Sequence, residues 1–173
     1  MNKKIMYIVT ILSTAVLLFL DQIAKYLAVL HLKGQAAIPI IKNVFELQYL
    51  ENQGAAFGIM QGKKTLFVIG TLIFLVIVVI LYHNIPLTKR FTPIRIVAVL
   101  IVAGAIGNMI DRVVHQYVID FFYFKLINFP IFNVADIYVV VACILFILLM
   151  LFYYKEEELG QIFPFMKSKK AEK

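Results

Sequence analysis

Four aspartates stand where an apolar chain has little reason to carry charge: Asp21, Asp111, Asp120 and Asp136. Three of them have polar company at short range. Lys25 follows Asp21 by four residues, Asn108 and Arg112 flank Asp111, and Asn133 precedes Asp136 by three. An ionisable group at membrane depth costs roughly 2.5 to 3.5 kcal/mol even on lenient insertion scales, so it faces a partner or a wet cavity and marks function. Other chemistries lack their parts. Ser13 and Ser168 lie far from any histidine or lysine on the face that carries the aspartates, so a serine nucleophile has no base. His31, His83 and His115 show no ligand spacing, and the single cysteine, Cys143, sits deep in an apolar run. No metal site, cofactor or intrachain disulfide is expected, and Cys143 reads as a small packing residue.

Acid and base work by carboxyl groups remains, and two of the four suit it. Asp136 lies at the spacing of a third helical position after an N-cap at Asn133, where the helix dipole and free amides favour the ionised form. Asp120 is followed by Phe121 and Phe122, whose apolar surroundings favour the protonated form. Two carboxyls pushed apart in this way can share a proton and hold a water, as aspartic proteases do when they attack a peptide carbonyl. The same acids could serve as a relay in a small proton-coupled transporter, but a relay needs acids at several depths. Asp21 and Lys25, one turn apart, read instead as an ion pair that fixes a helix end. Asp111 reads as part of a charge network, neutralised by its neighbour Arg112. Asn108 and Arg112 share a helix face and are candidates to bind a substrate backbone.

These residues need elements to hold them. Of the 173 residues 62% are hydrophobic and only 16% charged, and the mean hydropathy is +0.91, more than a soluble core can hide. A hydrocarbon layer ~30 Å thick asks for roughly 17 to 25 apolar residues per helix. Four segments answer, at about 5–32, 64–83, 94–114 and 134–155, within one integral membrane domain over residues 1–173. The expected fold is a polytopic α-helical membrane protein with a small extracytoplasmic β-sheet platform between helices 1 and 2, because residues 44–51 alternate with period two. Residues 52–58 then read as a glycine-rich turn. Phe121 to Phe124 suit either an interfacial belt or a grip on substrate, and the charged tail reads as mobile.

With the amino terminus cytoplasmic, ten lysines and arginines fall inside and seven outside, and the acids leave +6 inside against +1 outside. Both termini are therefore expected in the cytoplasm, with 33–63 and 113–133 extracytoplasmic. The first apolar run lacks a small-residue cleavage site and reads as a retained helix. The net charge of +7 is then accounted for by anionic lipid headgroups, and no nucleic-acid partner is expected.

Five ordered segments resemble the bacterial lipoprotein signal peptidases, the type II signal peptidase family of aspartyl membrane proteases. They are Asp21-Gln22-Ile23-Ala24-Lys25, Asn52-Gln53-Gly54-Ala55-Ala56-Phe57-Gly58, Gly104 through Arg112, Val118-Ile119-Asp120-Phe121 and Phe132-Asn133-Val134-Ala135-Asp136. The resemblance implies a prolipoprotein substrate carrying diacylglycerol on its cysteine, cut just before that cysteine, in the bacterial cell membrane, by a monomer in contact with membrane lipids. It assigns catalysis to Asp120 and Asp136. Supporting roles fall on Asn52, Gly54, Asn108, Arg112, Asn133 and Ala135, beside Asp21, Lys25 and Asp111. Members often carry glycine where this chain has Gln116; a positive φ there would strain glutamine.

Overall fold

The computed structural model describes residues 2–54 and 64–163; Ala55 to Gly58 of the second motif and residues 164–173 of the tail lie outside them. Four helices are long and apolar enough to cross a membrane. They are α1 (Lys3–Leu32), α2 (Lys64–Asn84), α3 (Thr92–Val114) and α4 (Val134–Leu148), the last continuing through a π-helical turn at Leu149–Tyr153. The four apolar segments of the sequence are thus helical. Asn2 caps α1 by accepting from the Lys4 amide at 3.0 Å, and a proline in the first turn opens α3. Only 6% of the most apolar window of α2 is buried in the protein, against 33% for the span ending in α3. The rest of that apolar surface needs lipid.

Between α1 and α2 lie β1 (Ile38–Ile41) and β2 (Phe45–Asn52). The third strand of the sheet is β3 (Val118–Tyr123), after α3, and the order is β1-β2-β3 with both pairings antiparallel. Period two did not announce β3 because its first four residues, Val118 to Phe121, are all buried, so both faces are enclosed. Pro39 lies in β1 at the sheet edge, where a missing N–H is tolerated. The register sets Leu50 opposite Asp120 and Asn52 opposite Val118.

Along α1 the buried positions Asp21, Lys25, Ala28 and Leu32 form one helical stripe, charged in the middle and apolar toward the sheet. Ala28 and Leu32 pack with Ile119 and Phe121 under the sheet. A second apolar cluster, including Met6, Tyr82, Phe91, Tyr154 and Ile162, closes the opposite end. It contains the first correction to the sequence reading: the tail is helical over α5 (Glu156–Ile162), with Leu159 and Ile162 buried and Glu158 paired to Arg90 at 2.9 Å. Leucine and isoleucine three apart among the glutamates are the apolar face that an emphasis on charge overlooked. The second is Cys143, which is exposed on α4 and so turned to lipid, not packed.

Gln116 has φ 73°, in the left-handed region just past the end of α3. That is where helices commonly place glycine, so the side chain there costs about 1 kcal/mol. Gly104 and Gly107 make the contact of α3 with α1 and α4 possible. A Cβ on Gly104 would lie 2.5 Å from the Ala135 carbonyl oxygen, and one on Gly107 would lie 2.5 Å from Asp21 Oδ2. Gly107→Ala should therefore push α1 off α3, with a loss of about 1 to 3 kcal/mol. A drop of several degrees in the thermal midpoint in detergent is expected, and an unchanged midpoint would contradict this packing.

Candidate active site

Near the sheet end of the bundle, α1, α3, β3 and α4 bring together every polar residue singled out in their sequences. Lys25 is 1% exposed, and its ammonium donates to Asp21 at 3.0 Å, Asp111 at 2.9 Å and the Asn108 side-chain oxygen at 2.9 Å. These use all three of its protons. The expected Asp21 pair is present, but Asp111 is neutralised by Lys25 and not by Arg112. Adjacent residues on a helix point about 100° apart, which is why proximity in sequence misled. Asp111 accepts further bonds from Gln22 at 3.2 Å and from the Ile119 amide at 3.1 Å, which ties α3 to the start of β3. Asp21 accepts from Gln22 at 3.1 Å and the Ala135 amide at 2.9 Å, which ties α1 to α4. Gln22 was missed as a site-supporting residue; its signal was a polar amide beside an aspartate within an apolar run.

Because an ammonium has no acceptor, Lys25 obliges Asn108 to present its oxygen. The Asn108 amide nitrogen is thereby turned to Asp136 Oδ1, at 2.8 Å. Asn133 is fully buried and serves both catalytic candidates. Its side-chain oxygen accepts from the Asp136 amide and its own amide donates to Asp136 Oδ2, each at 3.1 Å, so the expected cap is a full capping box. Its side-chain nitrogen donates to Asp120 Oδ1 at 2.6 Å and to Asn108 at 3.1 Å. Asn52, at the end of β2, donates to Asp120 Oδ2 at 2.8 Å and accepts from the Gly54 amide at 3.0 Å. Every carboxylate oxygen of the pair therefore has a donor, supplied by three asparagines.

Asp120 is 1% exposed. Burial, and next the charge of Asp136, push its carboxyl up to about 7, against the bonds from Asn52 and Asn133 that favour the anion. Arg112 donates to the Gly54 carbonyl at 3.2 Å and to the Asn108 carbonyl at 3.4 Å, and its guanidinium lies 4.7 Å from the centre of the Phe67 ring of α2. Phe67 gave no signal in the sequence, being one phenylalanine among many in an apolar run. Ala135 has no exposed surface; its carbonyl lies against Gly104 and its Cβ against Gly107, which explains a small residue there.

Asp120, Asp136, Asn52, Gly54, Asn108 and Arg112 line a cavity of about 630 Å³ whose other walls are mainly apolar, among them Ile137, Val139 and Phe132. The aromatic cluster divides: Phe121 is buried in the core, whereas Phe124 is 41% exposed and lines the cavity. Two carboxyls facing one largely apolar cavity, joined through Asn133, can activate a water and protonate a carbonyl.

A protein-family model described as signal peptidase (SPase) II matches residues 13–152. The chain belongs to the signal peptidase II family. The lipoprotein signal peptidase of Clostridium novyi is 44% identical over 131 residues, covering 74% of this chain and 87% of that protein. That of Streptococcus pyogenes serotype M5 is 37% identical over 150 residues, covering 87% of this chain and 95% of that one. A bacterial membrane enzyme solved by the in meso method superposes with a TM-score of 0.73 at 33% identity, over 84% of this chain and 94% of its own. The resemblance carried by the five motifs, and the four-helix architecture with its small sheet, are those of the signal peptidase II family.

In this signal peptidase II fold the raised Asp120 carboxyl has a consequence for stability. Between about pH 4 and pH 7 the native state binds a proton there that the unfolded chain has already released. Native stability from this group therefore falls as pH rises through that window. Asp120→Asn, which cannot ionise, should gain thermal midpoint relative to the parent at pH 8 compared with pH 5, measured in detergent. An equal difference at both pH values would show that Asp120 titrates as an ordinary carboxyl.

Proposed function

We propose that this protein is an aspartyl endopeptidase that removes the signal peptide from diacylglyceryl-modified prolipoproteins by cutting just before the lipidated cysteine. The observation that carries the reading is the joint hold of Asn133 on Asp120 and Asp136 at the edge of an apolar cavity. Membership of the signal peptidase II family supports it, as do relatives called lipoprotein signal peptidases. The protein acts as a monomer in the bacterial cell membrane, among its lipids, with both termini cytoplasmic and the catalytic pair near the outer surface. The excess of lysine and arginine in the sequence segments expected inside, ten against seven, supports that orientation.

In the proposed mechanism the pair shares one proton, which Asp120 holds at the outset. Asp136 takes a proton from a water, whose oxygen attacks the carbonyl carbon of the residue before the cysteine. Asp120 gives its proton to the carbonyl oxygen, forming a gem-diol. Asp136 then protonates the cysteine nitrogen as the C–N bond breaks, and Asp120 recovers a proton from the gem-diol. The products are a free carboxyl on the signal peptide and a free amine on the lipidated cysteine. Arg112 and Asn108 hold the substrate backbone, and Asp21, Lys25 and Asp111 hold the machinery. All four acids lie near one end of the bundle, which gives a transmembrane relay no second station.

Asp120→Asn and Asp136→Asn should each abolish cleavage of a lipidated precursor by purified protein in detergent, with folding and substrate binding retained. The amide has the size of the acid but cannot exchange the proton. Near-parental turnover by either well-folded variant would remove the dyad. Lipidation should also decide the substrate, because each buried methylene adds ~0.8 kcal/mol to partitioning and two acyl chains hold the target at the outer interface. The same precursor without diacylglycerol should be cut at least tenfold more slowly, and equal rates would refute this specificity.

A further inference from the structure

Beyond Asn52 the sheet borders a second hollow, of about 500 Å³, that the proposed chemistry does not use. One wall is the run from Gln48 to Gln53 along β2 and its end. The other comprises Tyr123 and the turn from Asn128 to Ile131. The hollow adjoins the catalytic cavity, because Asn52, Phe129, Pro130 and Ile131 line both. Its chemistry is different. Where the first cavity is mainly apolar, this one is edged by primary amides. Its acid is engaged elsewhere: Glu51 accepts from Lys33 at 2.8 Å and from the Tyr49 hydroxyl at 3.1 Å. The Asn128 side-chain oxygen accepts from the Tyr123 hydroxyl at 2.7 Å, which leaves its amide nitrogen to donate. The side-chain amides of Gln48 and Gln53 bond to no described residue.

A peptide must be extended where it is cut, and an extended backbone leaving an apolar cavity carries N–H and C=O groups that need partners. A primary amide offers one acceptor and two donors, the complement of a peptide group. We propose that this hollow is the subsite for the backbone of the first two or three residues after the cysteine, and that it recognises their peptide groups and not their side chains. The proposal rests on the functional reading above. Two or three extended residues span about 7 to 10 Å, short enough for a hollow of this size to hold. With the carboxylate of Glu51 already paired, no unpaired charge remains among its described residues to select one side chain over another.

The test uses synthetic diacylglyceryl-cysteine substrates with one signal segment, ending either at the cysteine amide or three residues beyond it. A third version carries an ester in place of the second peptide bond after the cysteine. For the parent protein, kcat/KM of the longer substrate should exceed that of the truncated one about tenfold, chiefly through KM, as two neutral hydrogen bonds contribute. The ester should lose severalfold, while exchanging serine, alanine and asparagine at the added positions should change the rate less than about twofold. In Gln48→Ala/Asn128→Gly the ratio of long to truncated substrate should fall below about threefold. Glycine is chosen because Asn128 has φ 48°. If that variant does not fold, Gln48→Ala alone and the ester substrate decide. A parental ratio near one, a ratio preserved in a folded variant, or a dominant effect of side-chain identity overturns the subsite. Cleavage before the cysteine without any length effect sinks the subsite alone. Failure to cleave every lipidated substrate sinks the functional reading and the subsite with it.

Discussion

The active end of the bundle hangs on the buried ammonium of Lys25. In lipid no hydrophobic force draws helices together, since the surrounding chains are as apolar as leucine; close packing and interhelical hydrogen bonds must do it. From α1, Lys25 reaches Asp111 and Asn108 on α3, and Asp21 reaches the Ala135 amide at the start of α4. Gly107 leaves the space in which the Asp21 carboxylate sits against α3. Removing one member of such a buried set strands an uncompensated charge, at about 3 to 5 kcal/mol. The helices are thus joined in one register at the depth where the catalytic candidates lie.

The same ammonium reaches the chemistry through geometry. Its bond to the Asn108 oxygen settles which way that amide faces, and hence that Asp136 receives a nitrogen. Asn133 repeats the device: its oxygen is committed to the Asp136 amide by the helix cap, so its nitrogen is committed to Asp120. A helix-capping requirement, which is backbone chemistry, thereby orients a candidate catalytic carboxyl. Charge balance follows. Four carboxyls and two cations, Lys25 and Arg112, share a largely buried volume, so a proton retained on Asp120 near neutral pH relieves an excess of negative charge.

Much of this was legible in the sequence because polar residues in an apolar chain have few alternatives. The four apolar segments, the Asp21 and Lys25 pair and the Asn133 cap all follow from spacing. What was not legible depended on partners far away in the chain. Period two found β2, which has one open face, and missed β3, which has none. Asp111 was given the wrong cation because Lys25 is 86 residues distant in sequence yet 2.9 Å away in space. Phe67 and Gln22 become meaningful only once α2 and α1 are packed beside α3. α5 was lost because its glutamates outnumber the two apolar residues that dock it.

The packing of the helices also bears on how a lipid-anchored substrate could arrive. α2 and α4 both pack on α3 and scarcely on each other. Thr71 of α2 and Ile137 and Val140 of α4 line the catalytic cavity, with Gly104 and Ala105 of α3 between them. Small residues at that point keep the space between α2 and α4 open, where larger side chains would fill it. α2 is the helix with the least of its apolar window buried, and the cation held against Phe67 is a contact between α2 and the catalytic end. On the proposed reading, a signal helix moving in the plane of the membrane would meet the weakest side of the bundle there. The opposite side, where Lys25 joins α1 to α3 and Asp21 joins α1 to α4, carries the acids. This division suits an enzyme that must admit a helix without disturbing two carboxyls whose positions decide the reaction.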